Sequence, residues 1–213
     1  MQLVLVRHAL PERIHASDAA HSDRAGGPAD PGLTELGERQ ATRLVDALGA
    51  EDVAGLNVSP LARARGTAAP LATALGLPVH LDERLLEAEN SFQGKPFGPG
   101  DRAWAHPSAW PLLRNPFRPS WGEPYARIAA RMLAAAWSAR EAAEGHEAVC
   151  ISHQLPIWTL RRLVEGKPLS HVPTHRQCGL ASLTSITFAG DKVLRVTYTE
   201  PAGPEPPDTT PGA

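Results

Sequence analysis

The residues of this chain best suited to chemistry are imidazoles and guanidinium groups set directly behind short apolar runs. Leu3, Val4, Leu5 and Val6 end abruptly in Arg7 and His8, and Ala148-Val149-Cys150-Ile151 runs straight into Ser152 and His153. A guanidinium presents a permanently charged planar fork to phosphate or carboxylate oxygens, and an imidazole exchanges a proton near neutral pH. Ligands of open α/β sheets gather at the carboxyl ends of the strands, so cations placed there point to an anion site. Two residues by themselves leave a plainer reading open, in which Arg7 caps a strand and His8 and His153 are ordinary loop or cap residues.

A third apolar stretch, Val53 to Val58, leads to Arg63. Ser59-Pro60 is expected to open a helix there, a cap residue followed by proline at the first helical position, with Arg63 in its first turn near the positive end of the dipole. Arg63 shares a face with Thr67 four residues on, whereas Arg65 projects elsewhere, which makes Arg63 the better site candidate; a solvent-exposed charge is the alternative that spacing leaves. Asp82 to Glu89 adds Glu83, Glu87 and Glu89, one of them a candidate for proton chemistry, although solvated surface charge is the ordinary state of such residues.

These side chains need elements to place them. The runs at residues 3–6, 53–58 and 148–151 read as strands, the first and last buried on both faces as in a parallel sheet, and Leu77 to Leu81 reads as another strand. If the strands are parallel, Arg7-His8, Arg63 and His153 meet at one edge. A helix is expected from Thr34, its cap, with an apolar face of Leu36, Ala41, Leu44, Val45 and Leu48 and a stop at Gly49. A longer one should begin at Glu123-Pro124 and pass through Ile128, Ala129, Met132, Leu133, Ala136 and Trp137 before Gly145. Another follows His153, with Pro156 just inside it. Leu180 to Phe188 and Val193 to Tyr198 read as a hairpin, of which one strand extends the sheet.

Two stretches break the regular pattern. Gly- and Pro-rich residues 9–32 form a loop beside the candidate site. Residues 90–122 hold three of the four phenylalanines and three of the five tryptophans among recurrent glycine and proline, so an aromatic-rich cap insertion folded over the main domain is expected. Lys95, Arg102, Arg114 and Arg118 lie among those aromatics, but a satellite core with a basic rim accounts for them as well as a nucleic-acid surface would. The expected organisation is a single domain, 1–199, and a disordered Pro-rich tail, 200–213.

Composition narrows the classes. With 213 residues, 42% hydrophobic and 21% charged, the chain can bury a substantial core without a metal or disulfide, and its net charge of -2 offers no general attraction to nucleic acid or an anionic membrane. Cys150 and Cys178 form no CxxC pair, and Cys150 reads as core packing. With no leader-like segment and no apolar run of membrane-spanning length, a cytoplasmic protein is expected.

Taken together, several stretches resemble the histidine phosphatase superfamily, the phosphoglycerate mutase-like fold. They are Leu5-Val6-Arg7-His8-Ala9, Leu33-Thr34-Glu35-Leu36-Gly37-Glu38-Arg39-Gln40-Ala41, Ser59-Pro60-Leu61-Ala62-Arg63-Ala64-Arg65-Gly66-Thr67-Ala68, Leu85-Leu86-Glu87 and Ile151-Ser152-His153, and they occur in the family's order. The resemblance implies an α/β fold, a three-layer α/β/α sandwich around a mostly parallel sheet. It implies that His8 is a nucleophile forming phosphohistidine, that Arg7, Arg63 and His153 cradle the phosphoryl oxygens, and that Glu87 protonates the leaving oxygen. It implies no metal or other cofactor, a small-molecule phosphate ester as partner, and leaves a homodimer open.

The pattern is also departed from. Ala9 and Gln154 stand where glycine usually follows each histidine, Ile14 stands near the place of an asparagine, and the glycine expected soon after the acid appears only at Gly94, which keeps Glu89 in contention with Glu87. Alanine suits position 9 if its φ is negative; Gln154 either reaches substrate or points to solvent. The leading expectation is a metal-independent phosphomonoesterase, with a phosphoglycerate mutase and a catalytically silent phospholigand-binding module as the alternatives. A metal site on His8 and His153 is disfavoured, because Arg7 and Arg63 would repel the ion and neither histidine has a carboxylate or cysteine at ligand spacing.

Overall fold

Leu3 to Val6, the first apolar run, are fully enclosed in a six-stranded sheet of order β3-β2-β4-β1-β5-β6. The computed structural model describes residues 1–12, 30–88, 110, 122–172 and 175–203. Its strands are β1 (Gln2–Arg7), β2 (Val53–Val58), β3 (Val79–Leu81), β4 (Glu147–Ser152), β5 (Leu183–Ala189) and β6 (Lys192–Thr199). Its helices are α1 (Glu35–Leu48), α2 (Ala62–Leu75), α3 (Tyr125–Ala142) and α4 (Gln154–Val164), and a 3₁₀ turn spans Glu83–Leu85. β1, β2, β3 and β4 are mutually parallel, while β5 runs antiparallel to β1 and β6 to β5.

Alternation along the central strands builds two cores. Leu3 and Leu5 of β1 and Ala148 and Cys150 of β4 face Ile128 and Met132 of α3 and Ile157 and Leu160 of α4. Val4, Val6, Val149 and Ile151 face the other way, onto Ala41 and Leu44 of α1 and Ala64, Ala68 and Leu71 of α2. The result is the expected three-layer α/β/α sandwich, and a strand buried on both faces is why these runs lack a polar alternate.

Several boundaries move. α2 begins at Ala62, not at Pro60, because Ser59 continues the strand pairing by donating its N–H to the Ile151 carbonyl at 2.9 Å. The helix is capped instead from a distant segment, with the Ala62 N–H donating to the Asp30 carboxylate at 2.8 Å. β3 starts only at Val79 and is an exposed edge, and both strands of the hairpin join the sheet, not one. On α1, Thr34 is the cap as expected, accepting from Gly37 N–H at 3.0 Å, but Gly37 and Gln40 take buried places that Leu36 and Val45 were expected to fill. Of the expected cap insertion, 90–109 and 111–121 lie outside the described residues; Trp110 is exposed. In the expected tail, 204–213 lie outside them too, while Glu200 accepts a hydrogen bond from the Tyr198 hydroxyl at 2.5 Å.

Candidate active site

Strand register delivers the two histidines to one place. Arg7 of β1 stands opposite Ser152 of β4, and the pairing runs one step further, the His8 N–H donating to the Ser152 carbonyl at 3.0 Å. His8 and His153 are the next residues on their strands, so their rings lie side by side with centroids 5.0 Å apart and planes inclined at 55°. Both are essentially excluded from solvent, and Arg7 and Arg63 are 3% and 6% exposed. Val58 of β2 ends at the same level, opposite Ile151, and presents Ser59.

His8 has a fixed tautomer. Its Nδ1 lies 2.8 Å from the Ala9 carbonyl, which can only accept, so the proton sits on Nδ1 and Nε2 keeps its lone pair. Burial, then the positive charges of Arg63 and Arg7, hold the imidazole well below its ordinary value of 6.5 against the opposing pull of the Ala9 carbonyl. His153 is pushed down in the same way by burial and then by Arg63, His8, Arg7 and Arg131. Its Nε2 is 2.8 Å from Ser59 Oγ, and its Nδ1 is buried without a hydrogen-bond partner among the described residues. Two neutral imidazoles thus sit among fixed cations, and this is an environment that favours an anion.

The loop after His8 is held from three sides. Ala9 N–H donates to Thr67 Oγ1 at 2.9 Å, and that hydroxyl donates in turn to the Arg63 carbonyl at 2.7 Å, which locks α2 and Arg63 to the loop after His8. Leu10 N–H donates to Gln40 Oε1 at 2.9 Å, and the Leu10 carbonyl accepts from Thr34. A Cβ at position 37 would lie 2.2 Å from the Leu10 carbonyl oxygen, so only glycine lets α1 come this close. Among the described non-glycine residues only Glu144 and Ala181 have positive φ, so Ala9 occupies its position without strain. Arg7 Nη1 donates to the Cys178 carbonyl at 2.7 Å, which fixes the guanidinium on its other side.

Glu87 reaches the site from the segment after the 3₁₀ turn. The Ser152 hydroxyl donates to the Leu85 carbonyl at 2.7 Å, and Arg131 Nη1 donates to the Arg84 and Leu86 carbonyls at 2.6 and 2.7 Å while its Nε and Nη2 donate to the Glu123 carboxylate. Burial raises the Glu87 carboxyl above its ordinary value of 4.5; the Ala88 N–H at 2.8 Å and the charges of Arg63, Arg176 and Arg7 oppose this. Glu89 lies outside the described residues. Gln154 does not simply point to solvent: its Oε1 is 3.4 Å from Arg176 Nη1. Cys150 is buried core, its thiol pushed up to about 12 by burial.

Four residues of this arrangement were not anticipated: Ser59, Arg131, Arg176 and Gln40. For Ser59 the signal was present, since it follows its strand as His8 and His153 follow theirs. Arg131 is one of several arginines on a long helix and Arg176 lies in an irregular segment, so neither carries a periodicity that separates it from surface charge. The fixed charges of the site are cationic, and no group of three or more His, Cys, Asp and Glu side chains that could hold a metal ion occurs among the described residues. No described helix is long and apolar enough to cross a membrane.

Known proteins resemble this chain in sequence and in fold. Residues 3–200 match the histidine phosphatase superfamily (branch 1). The uncharacterized protein Rv0525 of Mycobacterium tuberculosis is 51% identical over 170 residues, covering 80% of this chain and 84% of that protein. Among solved structures, YhfR of Bacillus stearothermophilus superposes with a TM-score of 0.70 at 26% identity, covering 91% of this chain and 94% of that one. A mycobacterial glucosyl-3-phosphoglycerate phosphatase, Rv2419c, in complex with inorganic phosphate, superposes with a TM-score of 0.67 at 25% identity over 92% and 95% of the two chains.

Proposed function

The chain belongs to the histidine phosphatase superfamily, branch 1, and on that premise we propose that it is a metal-independent phosphomonoesterase that hydrolyses a small organic phosphate through a phosphohistidine on His8. One observation carries the reading: His8 Nδ1 is tied to the Ala9 carbonyl at 2.8 Å, which leaves a neutral Nε2 as nucleophile amid Arg7, Arg63 and His153. An imidazole protonated at neutral pH could not attack phosphorus. Burial first, and then the same cations that a phosphoryl group needs, keep His8 neutral.

In the first step Nε2 of His8 forms a bond to phosphorus as the ester P–O bond breaks. Arg7 and Arg63 spread the charge of the three equatorial oxygens over fixed guanidinium groups. With the Ser59 hydroxyl donating to Nε2 of His153, the His153 proton sits on Nδ1, a donor for a phosphoryl oxygen. Glu87, protonated, gives its proton to the departing alkoxide; its raised carboxyl suits this, and the negative charge of a bound phosphate favours the acid form further. In the second step the Glu87 carboxylate takes a proton from water as the oxygen attacks phosphorus, and the His8–phosphorus bond breaks to release inorganic phosphate and restore both residues.

Turnover of p-nitrophenyl phosphate in EDTA, without bisphosphoglycerate, tests the reading. Sustained hydrolysis that is lost in His8→Ala supports it. Activity only after priming by bisphosphoglycerate would make the chain a mutase. Tight binding of a phosphorylated ligand without turnover across pH 5 to 8 would make it a binding module.

A further inference from the structure

Arg176 is a further cation at this site, half-buried and distinct from Arg7 and Arg63. The loop that carries it also supplies the Cys178 carbonyl that holds Arg7, and its Nη1 reaches Gln154, the residue next to His153. Its Nε donates to His171 Nε2 at 2.9 Å, and His171 in turn donates from Nδ1 to the Leu169 carbonyl at 2.7 Å. That pair of bonds requires a neutral His171, and burial holds this imidazole down to about 4. The remaining polar neighbour is the phenol of Tyr125, a buried residue at the start of α3.

Every side chain that orients this guanidinium is therefore neutral. Arg131, by contrast, is tied to Glu123, and Arg161 to Glu165. Among the described residues no carboxylate forms an ion pair with Arg176. Among the described residues the carboxyl group close enough to interact with it is Glu87, which is not paired with it and which the proposed first step uses in its neutral acid form. A half-buried guanidinium held in place by neutral acceptors keeps its charge at a desolvation cost, and an incoming anion would offset that cost. Its charge acts on Glu87, the proposed proton donor to the departing alcohol, which places it within reach of the alcohol portion of the substrate.

We propose that Arg176 is a specificity-determining residue that holds a second anionic group, carboxylate or phosphate, on the alcohol portion of the substrate. His171, Tyr125 and Gln154 are positioning residues for it. The planar fork suits either anion, and this inference rests on the phosphomonoesterase reading given above.

Matched substrate pairs test it: 3-phosphoglycerate against glycerol 3-phosphate for a carboxylate, and fructose 1,6-bisphosphate against fructose 6-phosphate for a second phosphate. The wild-type protein is expected to favour the more anionic member of at least one pair by tenfold or more in kcat/KM. Arg176→Gln should erase that preference by lowering kcat/KM for the more anionic member at least tenfold further than for its partner, and Arg176→Lys should keep part of it. The pair that shows the preference identifies the anion. Absence of preference in the wild type, or an equal loss on all substrates in Arg176→Gln, overturns the assignment of Arg176 while leaving the phosphatase reading intact. Absence of p-nitrophenyl phosphate turnover by the wild type overturns the phosphatase reading itself.

Discussion

Ser59 Oγ lies 2.8 Å from Nε2 of His153, the two residues following adjacent parallel strands and both shut off from solvent. A serine that donates to Nε2 leaves Nδ1 of His153 as the donor toward the site, the tautomer that the proposed mechanism needs. Ser59→Ala removes that choice. A neutral buried hydrogen bond contributes about 1 kcal/mol, so kcat/KM should fall roughly fivefold, and inhibition by inorganic phosphate should weaken with it. Unchanged phosphate affinity would mean that His153 takes its orientation from packing alone.

The proposed mechanism needs His8 unprotonated and Glu87 protonated; the first is held well below 6.5 and the second above 4.5. The profile of kcat/KM should therefore be high at acid pH and fall as pH rises through the raised Glu87 value, with no loss centred on the ordinary histidine value. Glu87→Gln should remove that basic limb and slow alkyl phosphates far more than activated aryl esters, whose leaving groups need no proton. If Glu89→Gln shows this behaviour instead, the acid is Glu89.

Stability should carry the opposite signature at the histidines. His8 and His153 stay neutral in the folded protein below 6.5, where the unfolded chain gains protons, so each depresses stability as pH falls from 6.5 toward its lowered folded value. The limiting slope is about 1.4 kcal/mol per pH unit for each histidine. Glu87, with a raised value, stabilises the fold as pH falls and partly offsets this. Urea midpoints measured from pH 7 to pH 5 should drop in the wild type and drop less in the His8→Asn, His153→Asn double variant.

Gly37 is a steric test of how the loop after His8 is held. A methyl there would meet the Leu10 carbonyl oxygen at 2.2 Å, so Gly37→Ala must push α1 and the loop after His8 apart. We expect about 1–3 kcal/mol of destabilisation by denaturant titration together with a loss of kcat. Gly66→Ala is the control, since its added methyl meets only the Leu33 side chain at 3.2 Å, which can move, and it should be milder on both counts.

How much of this was legible in the sequence follows from what each level of structure depends on. The central strands could be read because burial on both faces leaves an unbroken apolar run, as at Leu3 to Val6 and Ala148 to Ile151. His8 and His153 were legible because each immediately follows such a run. The start of α2 was not, because Ser59-Pro60 is a good local start signal that lost to strand pairing with Ile151 and to a cap from Asp30, more than thirty residues away in sequence. Gln40 and Gly37 break the apolar stripe of α1 for the same kind of reason: their places are set by the Leu10 backbone, a tertiary contact that helical periodicity does not encode. Arg131 and Arg176 look like surface charges until the chain folds over them.

The measurement closest to the central claim is a rapid quench of the protein during turnover of a phosphate ester, followed by peptide mass analysis under alkaline conditions that preserve phosphohistidine. The account predicts one acid-labile phosphoryl group, on the peptide containing His8, absent from His8→Ala. A phosphoryl group trapped on another residue, or full turnover by His8→Ala, would contradict it.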